Sequence, residues 1–166
     1  MELRAESSPD HAAVYALTEE AFRGMPFSDG DEQDLVNRLR TARALTLSLV
    51  AILDGNLVGH IAFSPATAMD NSEPWFALGP VSVAPVRQGQ GIGSALIEQG
   101  LTHLRGLGAL GCILTGNPEY YRRFGFEVAP QNAPPNESQE YFMLKLFTST
   151  KAASSLHFHD AFYADD

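Results

Sequence analysis

The chain has 166 residues, with 20 acidic and 11 basic side chains and a formal net charge of −9 at pH 7. This length suits one α/β domain, and a hydrophobic content of 45% is ordinary for a globular protein. The acidic balance argues against a duplex nucleic-acid partner, which normally requires a basic cluster. No apolar run approaches the roughly 20 residues of a membrane-spanning helix, so we expect no membrane partner.

The N-terminus and the cysteine content favour a cytoplasmic protein. The residues Met1–Glu6 lack the basic flank and the apolar core of a signal peptide. The single cysteine, Cys112, cannot form an internal disulfide, and its apolar neighbours favour a buried core residue over a reactive thiol. The alternating His157 and His159 are weak grounds for a metal site, so we expect no metal.

The first part of the chain predicts a strand over Leu3–Glu6 and then two amphipathic helices. The first helix opens at Pro9, and the second is capped by Ser28 or Asp29. The apolar stripes are Val14, Leu17 and Ala21 in the first helix and Leu35, Val36, Leu39 and Ala42 in the second.

Strands follow these helices. The run Leu45–Leu53 turns at Asp54–Asn56 into Leu57–Phe63, which predicts a β-hairpin ending at Ser64–Pro65. The next apolar run, Trp75–Val83, predicts a further strand.

A glycine-rich turn separates that strand from the next helix. Gly89, Gly91 and Gly93 leave backbone N–H groups uncovered at the positive end of a helix dipole, a combination that receives phosphate. From the glycines alone, anion binding and a turn without a ligand are equally good readings. The chain contains no P-loop string, which would supply a phosphate-binding lysine.

The helix after this turn carries Ile92, Leu96, Leu104 and Leu107 along one side. Gly100 lies among them and predicts close packing on the sheet. The string Gly106–Gly111 has the spacing of a dinucleotide fingerprint, but it follows a helix and precedes a strand. We therefore interpret it as a helix C-cap and a turn.

The remainder predicts a strand over Cys112–Thr115, a short helix over Pro118–Phe124 and a strand over Tyr141–Phe147, with a polar loop at 129–140. Leu156–Tyr163 suggests a last strand or a docking segment. We expect one domain over residues 1–147 and a C-terminal tail over 148–166.

Two motifs carry a resemblance to a known family. Gln88–Gly93 reads Gln-x-x-Gly-x-Gly and closely resembles the acyl-CoA pyrophosphate loop of the GCN5-related N-acetyltransferase (GNAT) superfamily. Leu114–Phe126 looks like the later strand–helix segment of that family, which commonly ends Tyr-x-x-x-Gly-Phe; here these are Tyr121, Gly125 and Phe126. The resemblance covers about Leu3 to Leu146. It implies a mixed α/β fold with a centrally splayed sheet of six to seven strands flanked by about four helices.

The resemblance also implies acetyl-CoA as the acyl donor. Backbone N–H groups of the loop would hold its pyrophosphate, and the edge of the preceding strand would pair with the pantetheine amides. The implied cofactor-binding residues are Val81, Ser82, Val83, Gln88, Gly89, Gln90, Gly91, Ile92, Gly93, Ser94, Asn117 and Tyr121. Asn117 either caps its helix or touches the pantetheine.

By the same resemblance, Tyr121 is the candidate general acid, since a phenol is protonated at pH 7 and can donate to a thiolate. Alternatively, Tyr120 and Tyr121 are both core aromatics. The general base stays open between His60, Glu73 and a water relay. The strand Trp75–Val83 carries no acid, although some family members have a glutamate there.

The implied function is transfer of an acetyl group to a primary amine of a small molecule or peptide, by direct attack in a ternary complex. The alternative is a non-catalytic acyl-CoA-binding sensor of the same fold. Segments 22–32 and 64–74 would contact the acceptor, whose identity carries no signature in the sequence. We expect a monomer or a homodimer.

Overall fold

A computed structural model describes residues 1–26, 28–149, 151–152 and 154–164. Over these residues the chain forms four α-helices and eight strands. The helices are α1 His11–Phe22, α2 Glu32–Thr41, α3 Ile92–Gly106 and α4 Pro118–Tyr121. The strands are β1 Glu2–Ala5, β2 Leu47–Leu53, β3 Asn56–Ala68, β4 Trp75–Val83, β5 Gly111–Thr115, β6 Glu127–Val128, β7 Phe142–Leu146 and β8 Leu156–His157. None of the described helices is long and apolar enough to cross a membrane.

The strands form a mixed sheet. Hydrogen-bonded neighbours follow the order β1-β2-β3-β4-β5-β7-β6, and β8 pairs with β3. The ladder of β4 on β5 is parallel and runs from Trp75–Gly111 to Ala77–Ile113, so that Leu78–Val83 of β4 lies beyond it. The expected mixed α/β class with four helices is confirmed; the sheet has eight strands, of which β6 and β8 are two residues long.

The described residues divide into two compact units. The first unit comprises residues 1–64, 79–100 and those from 160 onward. In it, Val14 of α1 and Val36 of α2 pack on Val50 of β2. Gly59 of β3 pairs with Ala51 and lies on the sheet face opposite to Val50. It makes room there for Ile92, because a Cβ on Gly59 would lie 2.8 Å from the isoleucine Cγ2.

Close packing of α3 at Gly100 is confirmed. A Cβ on Gly100 would collide with the ring of Phe63, so only glycine lets the helix approach the strand this closely. The predicted apolar stripe is wrong at Leu107, which follows the end of α3 and is 49% exposed. Ile97 and Leu101 are buried on the helix instead.

The second unit comprises residues 65–78 and 101–159. Trp75 is buried at the start of β4, where its ring lies against Gly111 and its indole N–H donates to Ser72 Oγ at 3.0 Å. At the end of α3, Ala109 N–H donates to Leu104 O, and Gly108 has φ +79°. The predicted C-cap and turn within Gly106–Gly111 are therefore confirmed.

Two predicted boundaries are wrong. The strand β3 does not end at Ser64–Pro65 but continues to Ala68, where it pairs with β8. Ser28 and Asp29 do not cap α2, since Asp31 occupies the N-cap position and Ser28 instead donates to the Glu32 carboxylate. Ala42, expected in the buried stripe, is the exposed C-cap residue.

The tail contributes both a strand and a turn. β8 pairs antiparallel with β3, Thr67 opposite His157 and Ala68 opposite Leu156. The 3₁₀ turn Asp160–Phe162 places Ala161 in the apolar cluster that includes Leu35 and Leu39 of α2. Residues 150, 153, 165 and 166 of the expected tail lie outside the described residues. The division into a domain of 1–147 and a tail of 148–166 stays a prediction.

Candidate active site

The turn between β4 and α3 is fixed at both ends and open in the middle. Ala84 N–H donates to Val58 O at 2.8 Å, which ties the end of β4 to β3. The amide of Gln88 folds back and donates to Val83 O at 3.4 Å. Gly89 and Gly91 have φ of +78° and +84°, and a Cβ on either would meet nothing within 4 Å. Both glycines thus adopt a backbone conformation that side chains disfavour, and both face open space.

The helix α3 starts directly after this turn. Ala95 N–H donates to Gly91 O at 3.0 Å, so the N–H groups of Ile92, Gly93 and Ser94 precede the first intrahelical bond. They lie at the positive end of a 15-residue helix. Ile92 is 3% exposed, and its packing on Gly59 holds this end in place. The arrangement fits an anionic group such as a diphosphate, which approaches the backbone closely.

Along the strand before the turn, half-buried and fully buried side chains alternate. Val81 and Val83 are half-buried, whereas Ser82 is 2% exposed and its Oγ has no hydrogen-bond partner among the described residues. Gln88, Gly89, Gln90 and Gly91 are exposed, and Gly93 and Ser94 are half-buried. The loop residues predicted to contact the pyrophosphate lie on the turn and at the start of α3, all in the first unit.

The tyrosine segment lies in the second unit. Asn117 is the N-cap of α4, and its side-chain oxygen accepts from Glu119 N–H at 3.0 Å. The capping reading of Asn117 is thus confirmed, while its contact with pantetheine stays a prediction. Pro118 follows at the first helical position, where its missing N–H costs nothing.

Aromatic rings surround the Tyr121 ring. Tyr120 meets it edge-on at a centroid distance of 5.0 Å, and Phe126 does so at 6.1 Å. Burial raises the pKa of the Tyr121 phenol, so the group is protonated across the neutral range. The Arg123 guanidinium lies over the Tyr120 ring, 4.7 Å from its centroid.

His60 lies on β3 in the first unit and is fully buried. Its Nε2 is 2.7 Å from Ser48 Oγ, while its Nδ1 has no partner among the described residues. Burial lowers the pKa of His60 to about 4; the charge of Glu6 raises it and that of Arg40 lowers it, as smaller effects. The ring is therefore neutral at pH 7 and shielded from solvent. Among the described residues no group of His, Cys, Asp and Glu could hold a metal ion.

A separate cavity lies in the first unit, where α1 ends and α2 begins. Its volume is about 530 Å³, and residues between Glu19 and Gln33 line it. Glu19 and Asp29 contribute carboxylates, and the buried Gln33 donates to Gly30 O at 3.1 Å. The cavity overlaps the segment 22–32 that was expected to contact the acceptor; residue 27 of this segment lies outside the described residues.

Sequence reasoning missed Gly116. It is the glycine directly before the Asn117–Pro118 cap, and its Cα hydrogen faces the Tyr121 ring. Its place directly before the capping residue is the sequence signal that could have singled it out.

A family model matches the part of the chain that contains both the glycine turn and the tyrosine helix. The model describes the acetyltransferase (GNAT) family and matches residues 11–126. The chain belongs to the GNAT family. Cys112 and the helices and strands named above from α1 to β5 all lie within the matched range.

Relatives of known sequence are N-acetyltransferases by name. The chain is 36% identical to the uncharacterized N-acetyltransferase YhbS of Escherichia coli strain K12 over 130 residues, which is 78% of this chain and 75% of YhbS. It is 38% identical to the uncharacterized N-acetyltransferase YjhQ of the same strain over 136 residues, 74% of each chain.

Solved GNAT structures share the fold. An acetyltransferase of Brucella melitensis, crystallised with acetyl-CoA, superposes with a TM-score of 0.86 at 45% identity over 97% of each chain. YhbS of Escherichia coli, crystallised with CoA, superposes with a TM-score of 0.89 at 28% identity, covering 98% of this chain and 92% of YhbS.

Proposed function

We propose that this GNAT-family chain transfers the acetyl group of acetyl-CoA to a primary amine by direct attack in a ternary complex. The observation that carries the proposal is the pair of open glycines, Gly89 and Gly91, at the start of α3. Two positive φ values with free space on the Cβ side are what close approach of a diphosphate to the backbone needs. Related structures bind CoA or acetyl-CoA, which supports this ligand for the turn.

The proposed reaction proceeds by attack of the amine on the thioester, followed by loss of CoA. The neutral amine attacks the thioester carbonyl carbon, so that a C–N bond forms and the carbonyl oxygen gains charge. The C–S bond then breaks, the thiolate takes a proton from the Tyr121 hydroxyl, and the nitrogen of the new amide releases its extra proton to water. Burial raises the pKa of Tyr121, so the phenol carries its proton at neutral pH and is able to donate it. Tyr121 regains its proton from solvent after CoA leaves.

The ammonium proton leaves through a water relay in this proposal. His60 is the less suitable acceptor, because it is sealed in the first unit and its pKa is lowered to about 4. A base with that pKa removes protons poorly from alkylammonium ions, whose own pKa is far higher. Glu73 stays a candidate, since it is exposed and lies two residues before β4.

The acceptor is a cationic amine in our proposal, taken up at the cavity between α1 and α2. The carboxylates of Glu19 and Asp29 line it and favour a positive charge, although the exposed Arg23 lies 3.8 Å from Glu19 and offsets part of this attraction. The net charge of −9 acts in the same direction at longer range.

Two measurements test the function. Acetyl-CoA should raise the melting temperature, with a stabilisation of about 2.7 kcal/mol at 100 times its dissociation constant, whereas NAD and ATP should do much less. A library of primary amines should then yield at least one acceptor that releases free CoA steadily, detected as thiol. A melting curve indifferent to millimolar acetyl-CoA would exclude the proposal. A clear shift without turnover on any amine would favour the non-catalytic sensor.

A further inference from the structure

The backbone conformation and the backbone hydrogen bond of Gly116 do not require glycine. Its φ lies outside the left-handed region, so any residue could adopt this conformation. Its N–H donates to Tyr141 O at 3.0 Å, an ordinary backbone bond that any residue but proline could make. A side chain at this position is therefore opposed only by the atoms that lie next to the Gly116 Cα.

The neighbour is the ring of Tyr121. A Cβ on Gly116 would lie 2.7 Å from the tyrosine Cε2 and 3.1 Å from its Cδ2, both well inside van der Waals contact. Leu114 Cδ1 would be 3.2 Å away, so the space on that side is also occupied. A side chain at position 116 can be accommodated only if the Tyr121 ring moves.

The ring has little freedom to move in other directions. Tyr120 and Phe126 meet it edge-on, and Phe124 lies at a centroid distance of 6.4 Å. The backbone is also held, because Tyr121 N–H donates to Asn117 O and Tyr121 O accepts from Phe126 N–H. The Cα of Gly116, which carries no side chain, therefore packs against one side of the Tyr121 ring. Together with the neighbouring rings it determines where the phenol hydroxyl lies.

We propose that Gly116 is a positioning residue for Tyr121: the missing side chain sets the position of the phenol that donates a proton to the departing thiolate. The inference rests on the proposed function, in which Tyr121 is the acid. Catalysis by a positioned group is sensitive to displacements of about 1 Å, which can cost roughly 100-fold in rate. Binding of acetyl-CoA at the glycine turn does not depend on this hydroxyl.

The test is the variant Gly116→Ala. We expect kcat to fall by about 10- to 100-fold, while KM for acetyl-CoA and the melting shift caused by CoA stay near their wild-type values. Gly106→Ala is the matched control, since this glycine also lacks a positive φ and a Cβ there meets nothing within 4 Å. It should leave kcat unchanged.

A double variant separates positioning from general damage. In the Tyr121→Phe background the hydroxyl is gone, so Gly116→Ala should lower kcat no further. An equal loss in both backgrounds, or no loss in the wild-type background, would overturn the proposal. If Tyr121→Phe alone leaves kcat unchanged, it is the acid assignment that fails.

A stability measurement covers the case in which Gly116→Ala does not fold or Tyr121 is not the acid. The proposal expects the variant to be destabilised by contact with the ring, and Tyr121→Leu, which replaces the rigid ring by a flexible chain, to restore part of the lost melting temperature. A Gly116→Ala loss that is the same with tyrosine and with leucine at position 121 would show that the ring is not what requires glycine.

Discussion

The glycine turn 88–93 and the tyrosine segment 116–126 differ in how the chain builds them. Residues 88–91 of the turn are exposed, and the defining property of the turn is the lack of side chains at Gly89 and Gly91. The tyrosine segment presents one hydroxyl from a ring packed among other rings. In the proposed reaction the first holds the donor and the second moves a proton, so substitutions in the two regions should affect different measured quantities.

The largest expected effect is on catalysis by the tyrosine segment. Tyr121→Phe removes one oxygen and keeps the packed ring, so we expect kcat to fall by roughly 10²–10⁴-fold with little change in acetyl-CoA binding. Tyr120→Phe is the matched control, because the neighbouring ring stacks on Arg123 and should be nearly silent. Steady-state kinetics on both variants decide the matter; equal kcat in the Tyr121 variant and the wild type would make Tyr121 a core aromatic only.

A second prediction separates binding from chemistry at the glycine turn. Gly91→Leu places a side chain in the open space and should abolish the CoA-induced stabilisation, about 2.7 kcal/mol at 100 times the dissociation constant. Gly108→Leu is the control, since it carries the same strain: its φ is +79° and nothing lies within 4 Å of its Cβ position. Both variants should melt earlier than the wild type, but Gly108→Leu should keep the CoA shift. Loss of the shift in both would attribute it to strain rather than to the turn.

The smallest expected effect concerns His60, which belongs to neither region. With a pKa of about 4 the ring is neutral throughout the assay range, so His60→Gln should change kcat/KM by less than about threefold at neutral pH. The rise of kcat/KM with pH should follow the pKa of the substrate amine and shift between amines of different basicity. A profile that ignores amine basicity and collapses in the His60 variant would instead identify His60 as the base.

The same residue gives a stability signature. The pKa of His60 is lower in the folded chain than the ordinary value of 6.5, so the unfolded chain binds the proton more readily. The contribution of this group to stability is therefore complete above pH 6.5 and declines as the pH falls toward 4. Denaturant unfolding across this window should show a steeper decline for the wild type than for His60→Gln.

Local patterns in the sequence predicted the parts of the fold that depend on local physics. The strand Trp75–Val83 has the predicted limits, and α3 starts within the predicted turn and helix, because alternation, glycine spacing and helical periodicity are all short-range signals. The apolar stripe of α1 is buried as predicted.

The misses concern partners distant in sequence. A proline at position 65 normally ends a strand, yet β3 continues to Ala68, where its partner β8 lies about 90 residues later in the chain. In the candidate site, the glycines of the turn and Tyr121 could be predicted from sequence motifs. The contact of Gly116 with the Tyr121 ring could not, because it depends on a side-chain rotamer and on the packing of Tyr120 and Phe126 around it.

Trp75 gives the second unit an intrinsic optical reporter. It is the only tryptophan of the chain, it is 2% exposed, and its indole N–H is bonded to Ser72. Selectively excited tryptophan fluorescence thus reports on the surroundings of Trp75 alone, where the pairing of β4 with β5 begins. Far-ultraviolet circular dichroism reads all helices and strands together, so coincidence of the two denaturation curves would reveal whether both units unfold in one cooperative transition.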